Sequence, residues 1–343
     1  MPVLEQSLKP FNTFQIEHSC AQLFHAKNKE ELTQYCLALY RSDKPFMLLG
    51  GGSNIVLTED FQGAVVRVES KGVLKSEDDN FYYLDVQAGE NWHELVETSL
   101  LMSIQGLENL ALIPGTVGAS PIQNIGAYGV ELKDVCDWVE YLDLTSGELI
   151  RLKAADCDFS YRESIFKKAL KTKAVITAVG FKIRKVWQPV LTYGPLKAFD
   201  KETVTAKQVF DCICSLRNEK LPDPAVLGNA GSFFKNPVIS KARFMRLKEE
   251  FNHAVGFTIN DEQVKVAAGW LIDNLGLKGY TVGGASVHED QALVLVNLGK
   301  ATGSDVVQLA KNIINSVKHV YDITLEVEPR IIGANGEKEL VND

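Results

Sequence analysis

Apolar and polar positions change period several times along this chain, and each change predicts an element. NKEELTQYCLALYRS (28–42) repeats its apolar residues at helical spacing, with Asn28 and Glu31 placed as a capping box, which predicts a helix. Pro45 to Leu49 is a short apolar run ending at Gly50, Gly51, Gly52, Ser53 and Asn54, so a strand should leave through a glycine turn. IVLTED, GAVVRV and FYYLDVQAGE predict further strands, and NWHELVETSLLMS a helix opened by Asn91 with Glu94 three residues on. WVEYLDL, a turn at Thr145-Ser146-Gly147-Glu148 and LIRL predict a hairpin, and AVITAVGFKI alternates as a half-buried strand.

Residues 186–204 carry prolines and few periodic apolar positions, which predicts an irregular excursion before the helix TAKQVFDCICSLRNEKL. Beyond a boundary near 215, the pattern predicts helices at about 240–251 and 264–275, a strand in QALVLVN, a long helix from Ser304 to Tyr321 and a last strand in ITLEVEPRII. A mixture of this kind over 343 residues exceeds what one core usually supports, so two or three domains are expected.

Composition narrows the function classes. A net charge of −8 with no basic run disfavours nucleic acid as a partner, and no run approaches the roughly twenty apolar residues of a membrane helix. The start, MPVLEQSLKPFNTF, lacks a cationic segment followed by an apolar one, so a cytoplasmic protein is expected. Cys20, Cys36, Cys136, Cys157, Cys212 and Cys214 are scattered without zinc-site or redox spacing, which predicts reduced thiols; no HExxH pair occurs, and no metal is expected.

Gly106 to Gly129 (GLENLALIPGTVGASPIQNIGAYG) crowds Gly, Ala, Ser and Pro where little can fill a core. Such backbone can lie against a flat or anionic ligand, or it can be a long surface loop. The chain has neither GxGxxG between strand and helix nor GxxxxGK[ST], so a Rossmann site or P-loop is not offered. GGGSN can instead present consecutive N–H groups as an anion nest suited to pyrophosphate.

GGGSN (50–54), IPGTVGASPIQNIGAYG (113–129), YRESIFK (161–167), GNAGSFFKNP (228–237), AAGWLID (267–273) and LEVEPRIIG (325–333) occur in an order and spacing that resembles the UDP-N-acetylenolpyruvoylglucosamine reductase family. The likeness spans nearly the whole chain, and the LTYG segment around Tyr193 looks like its longer subtype. The resemblance implies an α+β FAD-binding fold of the vanillyl-alcohol-oxidase type, with residues 1–69 plus 321–343 and 70–215 holding FAD and 216–320 binding substrate. It implies a monomeric enzyme of peptidoglycan precursor synthesis, in which NADPH is the reductant and hydride from flavin N5 converts an enolpyruvyl UDP-sugar to UDP-N-acetylmuramate. No His or Cys lies in GGGSN or Gly106 to Gly129, so non-covalent FAD is expected.

Residue by residue, the resemblance assigns Gly50, Gly51, Gly52, Ser53 and Asn54 with Pro114, Gly115, Thr116 and Gly118 to the FAD pyrophosphate, and Ala119 and Ser120 to the cofactor as well. Gln123, Asn124, Ile125, Gly126 and Tyr128 should lie beside the flavin. Ser232 matches the proton donor, Glu328 an assisting carboxyl, and Arg162 the guanidinium that holds the substrate carboxylate or enolate. Glu326 competes with Glu328, which is chosen because it stands two before Arg330. Tyr193, Lys220, Asn236, Gln291 and Arg330 are the expected substrate contacts. Where longer-subtype relatives carry a loop tyrosine, the segment 252–262 offers Phe257. Two other readings fit the bare residues: a flavin oxidase for a sugar alcohol or lactone, and a non-catalytic flavin- or nucleotide-binding module.

Overall fold

The computed structural model describes residues 6–42 and 44–340, so the first five residues, read above for a leader, lie outside it. The chain divides into two compact units: residues 1–21, 52–62 and 220–343 form one, and residues 22–51 and 63–219 the other. We call them the Ser232 unit and the Arg162 unit. The division falls inside the glycine turn, between Gly51 and Gly52.

The Arg162 unit is built on an antiparallel five-stranded sheet, in the spatial order Leu149–Lys153, Cys136–Asp143, Ala174–Arg184, Phe81–Gln87 and Val73–Glu77. The predicted hairpin forms, with Val139 opposite Leu152. Along Ala174–Arg184, Val175 faces one core and Ile176, Val179 and Phe181 face the other, the change of parity between 176 and 179 falling at an irregularity in the pairing with Cys136–Asp143. Helices α1 (Lys29–Arg41) and α2 (Trp92–Leu101) pack into these two cores respectively, and α3 (Ala206–Lys220) joins the second through Val209, Phe210 and Ile213. Asn28 caps α1 by accepting from Glu31 N, but the Glu31 carboxylate accepts from Lys27 N instead of closing the box on Asn28. Asn91 accepts from Glu94 N at the start of α2.

In the Ser232 unit, the strands Asn229–Ser232, Val294–Asn297, Ala285–Val287 and Thr281–Val282 make an antiparallel sheet. Helices α4 (Lys241–Glu250), α5 (Ala268–Asn274) and α6 (Gly303–Tyr321) follow the predicted order. The helix expected at 264–275 begins only at Ala268, because Gln263–Val266 is a strand whose two valines are buried. The supposed loop 252–262 is a hairpin in which Gly256–Thr258 pairs with that strand, and Phe257 sits opposite Lys265. The last strand is also shorter than ITLEVEPRII: only Arg330–Gly333 joins a ladder, running parallel to Ile55–Leu57. Pro329, which lacks an N–H, separates it from an isolated bridge between Val327 and Phe234.

Cys20, Cys36, Cys136 and Cys157 are buried and Cys212 and Cys214 half-buried, all as free thiols. Burial pushes Cys36 and Cys157 up to about 12. Among the described residues no helix is long and apolar enough to cross a membrane, and no group of three His, Cys, Asp or Glu could hold a metal.

Candidate active site

Backbone approach shapes the wall in the Arg162 unit. A Cβ on Gly51 would lie 2.8 Å from Gly115 Cα, one on Gly50 would lie 2.5 Å from Thr116 Oγ1, and one on Gly118 would lie 2.5 Å from Ala88 Cβ. Side chains are thus excluded where the glycine turn meets the PGTVGA segment, as a surface of peptide groups requires. The short turn Val117–Ala119 is held by Val117 N donating to Glu90 O and Gly118 N to Ala88 O, both at 2.8 Å. The Ser120 hydroxyl is buried and donates to Val117 O at 2.6 Å, so this serine holds the turn's shape.

Asn124, Tyr128 and Arg162 have φ of 43°, 50° and 57°, in the left-handed region that few non-glycine residues adopt. Each is held there by neighbours. The fully buried Asn124 donates from Nδ2 to Glu131 Oε2 (3.0 Å) and Ser160 O (3.1 Å), and accepts from Lys133 N (3.0 Å). Asn109, which sequence reading missed, donates to Tyr128 O and Val190 O, both at 2.9 Å. Arg162 sits in a turn closed by the Ser160 and Glu163 bridge, and its Nη2 donates to Gly126 O at 3.2 Å. The Tyr128 and Tyr193 rings meet edge to face, 5.3 Å apart. Burial raises the Tyr128 phenol above its ordinary value, so it stays a neutral hydroxyl.

The Ser232 unit builds its part from short strands. Ser232 pairs with Val294 at the end of its strand, after an irregularity between Asn229 and Ser232. Gly231 has φ of 67° and open space around the position a Cβ would take. Asn229, a second residue not singled out from sequence, accepts from Gly231 N at 2.8 Å and donates to Pro222 O and Leu227 O. Immediately after Ser232, the fully buried Phe233 and Phe234 anchor the strand. Glu328 N donates to Phe233 O at 2.9 Å, so Ser232 and Glu328, nearly a hundred residues apart, lie on neighbouring backbone.

Asn54 completes this arrangement, accepting from Arg330 N (3.0 Å) and donating from Nδ2 to Glu328 O (3.3 Å). Gly52 O accepts from Thr13 N at 3.1 Å, and Thr13 Oγ1 donates to Asn229 O at 2.7 Å. The competing Glu326 is exposed and paired with Lys235 at 3.0 Å. Among the expected substrate contacts, Arg330 Nε donates to Glu337 Oε2 at 2.8 Å and Asn236 Oδ1 accepts from Ala268 N at 2.9 Å, opening α5. Lys220 ends α3, Gln291 N donates to His288 Nδ1, and Tyr193 is exposed.

These residues fit FAD: Gly50, Gly51 and Gly118 pack too closely for any Cβ, so peptide groups line the turn, and positive φ falls at Asn124 and Tyr128, two of the positions expected beside a flat ring. Residues 20–153 match the family described as FAD binding domain, and residues 223–332 match the family described as UDP-N-acetylenolpyruvoylglucosamine reductase, C-terminal domain. The chain is 61% identical over 334 residues to a UDP-N-acetylenolpyruvoylglucosamine reductase of Shewanella sp. (strain ANA-3), covering 97% of this chain and 98% of that relative. It is 50% identical to one of Salmonella typhimurium over 338 residues, 98% of this chain and 99% of that relative. The crystal structure of the Thermus caldophilus enzyme of the same name shares the fold, with a TM-score of 0.65 over 96% of this chain and 99% of that one at 23% identity. The α+β FAD-binding fold read from the motifs is the one found, and the chain belongs to the UDP-N-acetylenolpyruvoylglucosamine reductase family of FAD oxidoreductases.

Proposed function

We propose that this protein reduces the enolpyruvyl group of UDP-N-acetylglucosamine enolpyruvate to a lactyl ether, giving UDP-N-acetylmuramate for peptidoglycan synthesis, with NADPH as reductant. The observation that carries the reading is the neighbouring backbone of Ser232 and Glu328, fixed by the Glu328 N to Phe233 O hydrogen bond. We read the protein as a cytoplasmic monomer with non-covalent FAD held by residues 1–69, 321–343 and 70–215, and with the UDP-sugar on residues 216–320.

Bound FAD would supply the hydride, from N5, to the terminal carbon of the enolpyruvyl group. Charge then develops at the carbon beside the substrate carboxylate, and a permanently charged guanidinium suits its stabilisation; Arg162 takes that role. Ser232 Oγ–H gives its proton to that carbon, and Glu328 assists as the neighbouring carboxyl. A serine is a weak acid at neutral pH, so its proton moves because the acceptor is a strong base held in line. The glycine wall binds and excludes water, with Gly50, Gly51 and Gly115 to Ser120 toward the pyrophosphate and Gln123 to Tyr128 toward the ring.

The deciding experiment is Ser232→Ala. The variant should still bleach with NADPH while turnover of the enolpyruvyl sugar falls by about 10²- to 10⁴-fold. Full turnover would overturn the assignment, and O₂ consumption with a sugar alcohol would favour an oxidase of the same fold. Initial-rate lines against the two substrates should be parallel if both use one site in turn.

A further inference from the structure

Helix α3 carries a charge on its core face. Val209 and Ile213 are completely buried, and Arg217 follows at the same spacing of four, so the third member of an apolar stripe is a guanidinium. Arginine at such a position ordinarily faces a carboxylate. Here the groups whose charge or dipole acts on it are the Tyr128 hydroxyl, the Cys214 thiol and the Arg162 guanidinium. Its Nε is sealed from solvent and has no hydrogen-bond partner among the described residues.

Two guanidiniums therefore share one partly desolvated place with a neutral phenol between their segments. Like charges brought together out of water repel, and a buried N–H without an acceptor costs about 1–3 kcal/mol. An oxyanion removes both penalties at once, since a planar fork can donate two parallel bonds to a carboxylate. Tyr128, held at positive φ by its neighbours and edge to face with Tyr193, is the residue that aims Arg217.

We propose that Arg217 is a second anion-binding residue of the Arg162 unit, that it takes the carboxylate of the enolpyruvyl group together with Arg162, and that Tyr128 positions it. The proposal rests on the enolpyruvyl reading above, and it makes Arg217 responsible for telling a carboxylate-bearing UDP-sugar from one without.

The test titrates oxidised FAD-loaded protein with UDP-N-acetylglucosamine enolpyruvate and with UDP-N-acetylglucosamine, which lacks the carboxylate, following the flavin absorbance and binding heat. Arg217→Met should weaken the enolpyruvyl sugar by about 10- to 100-fold and the plain UDP-sugar by less than about 2-fold, as loss of a charge-assisted pair requires. Arg217→Lys keeps the charge without the fork and should fall between. Tyr128→Phe should reproduce part of the loss. The methionine variant should melt no lower than the parent protein, because an apolar stem completes the stripe.

Equal loss for both sugars would move Arg217 to the diphosphate and overturn the proposal, as would a loss of FAD with sugar binding intact. A variant that melts lower but discriminates normally would make Arg217 purely structural. If the parent protein itself fails to prefer the enolpyruvyl sugar, the proposed function fails first; if the parent prefers it and Arg217→Met still does, only the Arg217 proposal fails.

Discussion

The two units place site residues by different means. In the Arg162 unit, the Gly106 to Gly129 wall is fixed by close backbone contact and by Asn124 and Tyr128 in left-handed conformations, each held by neighbouring hydrogen bonds, and the left-handed Arg162 is tied to it through Gly126 O. In the Ser232 unit, Ser232 and Glu328 are fixed by short strand ends and two buried phenylalanines, and Gly231 beside them meets no close atom. A surface for a flat ligand tolerates no added volume, whereas a proton donor needs a firm anchor and local room. The glycine turn contributes to both, with Gly50 and Gly51 packed on Thr116 and Gly115 and Asn54 bonded to Glu328 and Arg330.

Phe233→Ala should break the anchor with the largest effect. Its ring meets Phe14 at 6.3 Å and Phe234 at 5.2 Å, and truncation should lower unfolding free energy by about 3–5 kcal/mol. Turnover should drop while FAD content, read from the ratio of flavin to protein absorbance, stays near that of the parent. Loss of FAD in step with turnover would erase the distinction between the units.

Gly118→Val tests the wall in the opposite sense. Its Cβ would meet Ala88 Cβ at 2.5 Å, and overpacking of this kind costs about 1–3 kcal/mol. The expected signature is protein that purifies with little flavin yet keeps the Ser232 strand intact, seen as normal amide-exchange protection at Phe233. A fully loaded variant would remove the wall from cofactor binding.

Much of this was legible in the sequence, and the gaps have physical causes. Asn28 and Asn91 announce their helices because a cap is a local event, and the Thr145 to Glu148 turn announces its hairpin. The motifs also name Ser232, Glu328 and Arg162, but spacing alone cannot show that Glu328 N reaches Phe233 O. Left-handed φ at Asn124, Tyr128 and Arg162 leaves no mark in residue type beyond the mild tolerance of asparagine. Gln263–Val266 reads as helix because it adjoins a helical run, and cross-strand pairing decides otherwise. Arg217 looks like an ordinary basic residue near a helix C-terminus, where cations are favoured anyway.

The smallest expected effect concerns Glu108, which makes the wall, and not the Ser232 strand, sensitive to pH. Its carboxyl is 2% exposed, accepting from Trp187 Nε1 at 2.7 Å and Gly106 N at 2.6 Å, so it ties the start of the 186–204 excursion to the start of the wall. Burial is the dominant influence and raises its pKa above 4.5, although both hydrogen bonds act the other way. A raised folded-state value means the folded protein holds this proton more tightly than the unfolded chain. The stability so gained is complete below the unfolded carboxyl pKa and is lost as pH rises through the folded one. Glu108→Gln cannot ionise, so the parent's unfolding free energy relative to the variant should fall as pH rises above the ordinary carboxyl range. Amide exchange at Gly106 should quicken over the same range in the parent while Phe233 holds steady. A pH-independent difference between parent and variant would show that the carboxyl titrates alike in the folded and unfolded chains and that the two units respond to pH alike.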